Sequence, residues 1–321
     1  MLQKFNRQLE KCMPLITPVS VVIGVLFTTY LTDLAFLIPW VFAFITFSGS
    51  LSSNFTALQR AVTHPLPLLA AMFLLHILMP VWAWGIGHLT FSGDVYTITG
   101  LILAMVIPTG ITSFLWVSIG RGNIALTLSI ILIDTLLSPF IVPYTLSLFV
   151  GAKVEMDVLS IMRGLVFMVV LPSLVGMTLN QLTKGKVKDV LGPRLAPFSK
   201  IGLGLVVMLN GALVAPYLQD VDLKLIGVAV TMFLVAFTGY LFAFFIGKLL
   251  KRNRETVIAL TFTGGMRNIS AGAVIATSYF PPQVAVPVVL GMLFQVHRSL
   301  AWVNSVNNDT TNKTNKAVVY K

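Results

Sequence analysis

Between residues 14 and 304 the chain is a succession of apolar runs bounded by charge, Pro or Gly, at roughly 14–31, 35–52, 66–89, 97–119, 124–148, 159–181, 199–217, 224–248, 256–279 and 282–304. A helix of about 20 apolar residues crosses the hydrocarbon of a bilayer. The pattern therefore predicts an all-α integral membrane protein with ten transmembrane helices. A water-soluble domain is excluded: 10% of residues are charged, against about 25% in soluble chains, and the mean hydropathy is +0.90. The polar stretch 304–321 is expected to be a disordered cytoplasmic tail.

The formal charge of +11 would suggest nucleic acid in a soluble protein. Here it reports orientation. With alternate connections assigned to opposite sides, 17 Lys and Arg fall on one side, including Arg60, Arg121, Lys184 and Lys251, and only Lys153 and Lys224 on the other. The positive-inside rule then places both termini in the cytoplasm and requires an even helix count. A nine-helix division would split the basic clusters between sides. Lys4, Arg7 and Lys11 before an apolar run imitate a secretory signal, but no small-x-small cleavage site follows, so the run reads as a retained first helix. Cys12 is the single cysteine, which excludes internal disulfides and cysteine metal sites.

Ten helices divide into five and five, and two similar halves of five helices must be inverted repeats. Pro108-Thr109-Gly110 interrupts the fourth run and Gly264-Gly265 the ninth, each fourth in its half. Pro removes a backbone donor and Gly weakens helix continuity, so both are expected unwinding points at membrane depth. Such a matched pair of interrupted spans points to a transporter binding site. If each break starts a half-helix, its free N–H groups and positive dipole end attract an anion. Thr112, Ser113, Asn268 and Ser270 would add side-chain donors; the plainer alternative is that the hydroxyls bond back to their own helices.

On the fifth run, Thr127, Ile131, Asp134 and Ser138 share one helix face. Asp134 is the only carboxylate deep in an apolar run, where a charge costs at least ~2.5 kcal/mol. Arg267 is the only basic residue at a helix centre, so an Asp134 to Arg267 pair is the economical expectation, with structural and proton-coupling roles both open. His76 stands before Met79-Pro80, and His297-Arg298 near the end of the tenth run; each histidine reads as a packing residue, a proton relay or a ligand contact. No H-E-x-x-H, P-loop, G-x-S-x-G or K⁺-filter sequence is present, so neither an enzyme nor an open pore is expected.

Four stretches, GITSFLWVSIGRGNIALTLS (110–129), TGGMRNISAG (263–272), HILMP (76–80) and VHRSLA (296–301), resemble the bile acid:sodium symporter family. The likeness runs over nearly the whole chain. It implies fourth and ninth helices that cross at the midplane. It also implies a panel of helices, about 14–52 and 159–217, facing a core, about 66–148 and 224–303, with an organic anion bound between them and uptake driven by sodium. On that resemblance Ser113 and Thr127 match hydroxyls of a first sodium site and Met266 a carbonyl of a second, while Asn268 and His297 lie near the substrate. Where the family places oxygen ligands, this sequence has Phe114, Ile131, Thr263 for a glutamate and Arg267 for a glutamine, with His76 replacing a third-helix amide. Two like charges about 4 Å apart repel by ~4 kcal/mol at an effective dielectric of 20. Arg267 is therefore expected to substitute for sodium, leaving uniport or proton coupling through Asp134 or His76.

The reading is a secondary transporter of a small organic anion in the cytoplasmic membrane of a prokaryote, with no nucleic-acid partner, no cofactor, and Na⁺ or H⁺ as the possible coupling ions. Pantoate-like, keto-acid and sterol-derived anions all fit. Sodium-coupled symport and a non-transporting membrane sensor are the alternatives. The related arsenite exporters use a fourth-helix cysteine that this chain lacks.

Overall fold

The structure, a computed structural model, describes residues 2–53, 55, 65–151, 154, 156–218 and 221–294. His297, Arg298 and the tail 304–321 lie outside the described residues. The molecule is 86% helix, and no strand occurs among the described residues. In chain order the helices are α1 (Leu2–Leu26), α2 (Thr28–Ser50), α3 (Pro65–Thr90), α4 (Val95–Val106), α5 (Ser113–Ile119), α6 (Ile124–Val150), α7 (Val158–Leu182), α8 (Lys186–Val190), α9 (Gly192–Leu218), α10 (Leu223–Leu249), α11 (Arg254–Gly265), α12 (Ile269–Tyr279) and α13 (Pro282–Phe294). Six of them, α2, α3, α6, α7, α9 and α10, are long and apolar enough to cross a membrane. Side chains such as Trp40, Leu89, Leu148 and Leu249 stand fully out from the helix bundle, as a multi-pass membrane protein presents them to lipid.

The helix ends follow local chemistry. Asp94, Asn123, Asp157, Asp222 and Asn253 each accept the backbone N–H three residues on, capping α4, α6, α7, α10 and α11. Three acidic residues of the connections, Asp94, Asp157 and Asp222, are thus helix caps. α3, α6, α7 and α10 begin and end within two residues of the expected runs. Two starts differ. α1 begins at Leu2, which takes the basic start into the helix, and the chain breaks at Phe27. α9 begins at Gly192, because Pro193 sits in the first turn, where its missing N–H would have had no helical partner.

Within α3 and α7 the helix widens to a π-turn, at Leu74–Leu78 and Val166–Val170, just ahead of Pro80 and Pro172. A proline ring clashes with the carbonyl four residues back, and a one-residue-wider turn relieves the clash. The widening has a consequence in α3. Met79 N–H is drawn to Leu74 O, and Pro80 has no N–H, so Leu75 O is left without a helical donor.

α1 lies along α9, and α2 packs on both α9 and α7. These contacts run over small residues: a Cβ on Gly24 would sit 2.1 Å from Met208 O, and one on Gly176 2.9 Å from Phe47 O. The remaining helices pack among themselves, with α10 along α11, α3 on α4, and α4 on α6 and α13. α7 touches α6, and α9 touches α12, so the two groups of helices meet face to face.

At one end of this assembly Asp94 joins α4 to Lys224 of α10, carboxylate to ammonium at 2.8 Å. Burial would raise the Asp94 carboxyl, but the Lys224 ammonium and the Thr97 donors outweigh it and hold its pKa below the usual 3.8. A depressed carboxyl stabilises the fold fully above the unfolded pKa and loses that contribution as pH falls through the folded value. Asp94→Asn keeps the cap and removes the charge. It should cost about 0.2–1 kcal/mol at neutral pH, and its thermal midpoint should approach that of the wild type as pH falls below the usual carboxylate range and through the depressed value of Asp94.

Candidate functional site

The two interruptions meet. The backbone leaves α4 at Ile107 (ψ 148°) and resumes helical form at α5, and it is extended at Met266 (ψ 108°) between α11 and α12. Thr109 and Arg267 form an isolated antiparallel bridge. Gly110 N–H donates to Met266 O at 3.0 Å, and Asn268 N–H to Pro108 O at 2.8 Å. A helix broken away from water strands its backbone donors and acceptors, and here each break satisfies the other. Glycine permits the approach: a Cβ on Gly110 would lie 3.0 Å from Arg267 O, and one on Gly265 2.3 Å from the Tyr240 ring.

The buried charges gather around this crossing. Asp134 Oδ2 accepts Thr109 N–H at 2.6 Å. Asp134 Oδ1 lies 2.8 Å from His76 Nε2, at ion-pair distance though off the line of a good hydrogen bond. Thr109 Oγ1 donates into the carbonyls of Thr263 and Met266. The Arg267 side chain is fully buried. Its Nη2 donates to Leu75 O at 3.4 Å, the carbonyl that the α3 π-turn leaves without a helical donor. The expected direct Asp134 to Arg267 bridge is therefore corrected: His76 is the close partner of Asp134, and Arg267 feels the carboxylate across a gap. The cause is the π-turn, which supplies Arg267 with a free acceptor on the helix that also carries His76.

Of the residues singled out from the sequence, Thr112, Met266, Arg267, Asn268 and Ser270 line a cavity of about 710 Å³. Ser113 is fully buried with an unpartnered hydroxyl and is not part of that lining. Thr127 and Thr263 bond back to their own helices, at Asn123 O (2.9 Å) and Ala259 O (2.8 Å). His297 falls outside the described residues. The half-helix starts offer fewer donors than expected. Ser113, Phe114 and Leu115 N–H return to the carbonyls of Gly110, Ile111 and Thr112, and Asn268 Oδ1 takes Ala271 N–H at 3.3 Å.

The cavity lies between the two helix groups: Phe42, Ser50, Ser173 and Lys200 line it from one, and Leu115, Trp116, Leu132 and Met292 from the other. Lys200 was not singled out from the sequence; it is one of the 17 basic residues assigned to a single side and stands at the start of the expected run 199–217. With α9 beginning at Gly192, Lys200 sits about 12 Å into the helix, and its Nζ donates to Asn6 Oδ1 at 2.6 Å. Thr109 was also missed as a site residue, although it stands in the break that the sequence did reveal. Among the described residues no cluster of His, Cys, Asp and Glu is arranged to hold a metal ion.

Comparison with known proteins bears on this site. The model of the sodium bile acid symporter family matches residues 39–221, more than half of the chain. The chain belongs to the sodium bile acid symporter family. The Bacillus subtilis protein YbaS is 56% identical to it over 283 residues, 88% of this chain and 92% of YbaS. YocS of the same organism, named as a sodium-dependent transporter, is 25% identical over 88% of this chain and 86% of its own length. The Arabidopsis thaliana chloroplast protein BASS1, named as a sodium/metabolite cotransporter, is 28% identical over 72% of this chain and 56% of BASS1. As a sodium bile acid symporter family member the chain is a transporter and not an enzyme, with a small-molecule substrate and a lipid environment.

Proposed function

We propose that this chain is a secondary active transporter of a small organic anion across the cytoplasmic membrane, working by alternating access. The observation that carries the reading is the cavity at the crossing of the two breaks, lined from both helix groups. On this reading the chain has ten transmembrane helices in two inverted five-helix repeats and cytoplasmic termini. The helices of about 14–52 and 159–217 form a panel, and those of about 66–148 and 224–303 a core. The part of α9 that lines the cavity adjoins the connection carrying Lys184, Lys186 and Lys188, so on this reading the site faces the cytoplasm.

The substrate anion meets Thr112, Asn268 and Ser270, with Ser113 behind them. Its apolar body lies against Phe42, Leu115 and Trp116. The coupling ion is a proton, carried by the buried His76–Asp134 pair. Sodium-coupled anion symport is the second reading, favoured by the printed names of YocS and BASS1.

Proteoliposomes holding the purified chain test both. Pantoate, 2-oxoisovalerate and taurocholate are offered under a proton gradient and a sodium gradient imposed separately. Uptake of one or more of them is expected under the proton gradient, with Asn268→Ala reducing it at least about tenfold. An anion that binds but does not move under either gradient would establish a sensor instead.

A further inference from the structure

The family name implies sodium, and the residues at the crossing do not fit that ion. Sodium is a hard cation that takes a shell of oxygens, as the other hard cations do. Most of the oxygens at the crossing are already committed, leaving Asp134 Oδ1, which lies against His76, and the Ser113 hydroxyl. Met266 O accepts Gly110 N–H at 3.0 Å. The single Thr109 hydroxyl proton serves the Thr263 and Met266 carbonyls, and Asp134 Oδ2 holds Thr109 N–H. Leu75 O, freed by the π-turn before Pro80, is taken by Arg267 Nη2. Thr263 Oγ1 is turned back on Ala259 O. The second group of hydroxyls, Ser113 and Thr127, is flanked by the side chains of Phe114 and Ile131, which bring no oxygen.

We propose that the Arg267 guanidinium is a built-in cation that takes the place of the coupling sodium, steadying the crossing by its charge and tying the second break to α3 through its bond to Leu75 O. The guanidinium has five donors and no acceptor, and it stays charged at every working pH. It is fully buried and feels the Asp134 carboxylate across a gap, so the crossing already has the positive charge that a bound ion would bring. Because it is covalently attached it cannot be released on either side of the membrane, and no sodium gradient can drive the cycle through this position. The charged group that acts on it is Asp134 of α6, whose other oxygen lies against His76 of α3. This inference deepens the coupling part of the transporter reading and rests on the crossing being the moving site.

The test needs no substrate. Thermal unfolding of the purified full chain is followed in sodium chloride and in choline chloride at equal ionic strength, together with equilibrium binding of radiolabelled sodium. The wild-type midpoint is expected to be the same in both salts, with no saturable sodium retained. A saturable, sodium-specific rise in the wild-type midpoint overturns the proposal, whatever any variant does. Arg267→Gln should lower the midpoint by roughly 5–10 °C, and Arg267→Lys, which keeps the charge, should recover most of that loss. An Arg267→Gln protein as stable as the wild type also overturns it. Absence of anion flux in liposomes would count against the transporter reading and leave these sodium measurements standing.

Discussion

Asp134→Ala is expected to cost about 3–5 kcal/mol and to leave little folded protein. The loss has two parts. Thr109 N–H, held by Asp134 Oδ2 at 2.6 Å in the centre of the crossing, becomes a buried donor with no acceptor. Arg267, fully buried, loses the carboxylate that offsets its charge. Asp134→Asn separates the two, because an amide oxygen can still take the Thr109 N–H while the charge is gone. It should fold better than the alanine variant and worse than the wild type. Removing the opposite charge at the same time should recover stability, so Asp134→Asn with Arg267→Leu is expected to be more stable than the sum of the single changes. Thermal unfolding of the wild type, Asp134→Asn, Arg267→Leu and the double variant, followed by size-exclusion profile, measures this. Simple additivity would mean that the two charges do not communicate.

The second large effect lies at the contact of α1 with α9. A Cβ on Gly24 would stand 2.1 Å from Met208 O, 2.9 Å from Ala212 N and 3.0 Å from Met208 C. All three are backbone atoms, so no side chain can rotate away and the two helices must part. Overpacking of this kind costs about 1–3 kcal/mol. Separating the helices also puts at risk the Thr28 hydroxyl bond to Ala212 O at 2.8 Å. Gly24→Ala is therefore expected to lower the melting midpoint and the yield of monodisperse protein. Gly85→Ala is the control: nothing lies within 4 Å of its added carbon, and alanine favours the helix by about 1 kcal/mol. If the two variants melt together, α1 does not sit on α9 as described.

The ends of most helices could be read from the sequence because the thickness of a bilayer imposes them, and Asp or Asn at the first turn marks where a helix can begin. The two breaks were also legible, since Pro108 and Gly110, and Gly264 and Gly265, are residues that weaken a helix wherever they occur. That the breaks cross followed only from the family resemblance, and which backbone groups they exchange was not legible, because residues 109 and 267 are brought together by every helix between them. The partner of Asp134 was misread for a related reason. Counting charges singles out Arg267, but a π-turn in α3 both positions His76 and creates an acceptor for Arg267, and a π-turn leaves only a proline as its trace. Lys200 was passed over because a lysine near an expected helix start looks like a loop charge. One Gly-Pro pair earlier, Gly192-Pro193, carried the information that moves the helix start by a turn and a half or more.

The paired hydrogen bonds of the crossing also bear on how such a chain can change over generations. Each break supplies what the other lacks, Pro108 O to Asn268 N–H and Met266 O to Gly110 N–H. A substitution that restored a continuous helix at one break would strand two backbone groups at the other, far from water. Neither interruption can be repaired, moved or lost alone, so the two segments are bound to be inherited and altered as one unit, although more than 150 residues separate them.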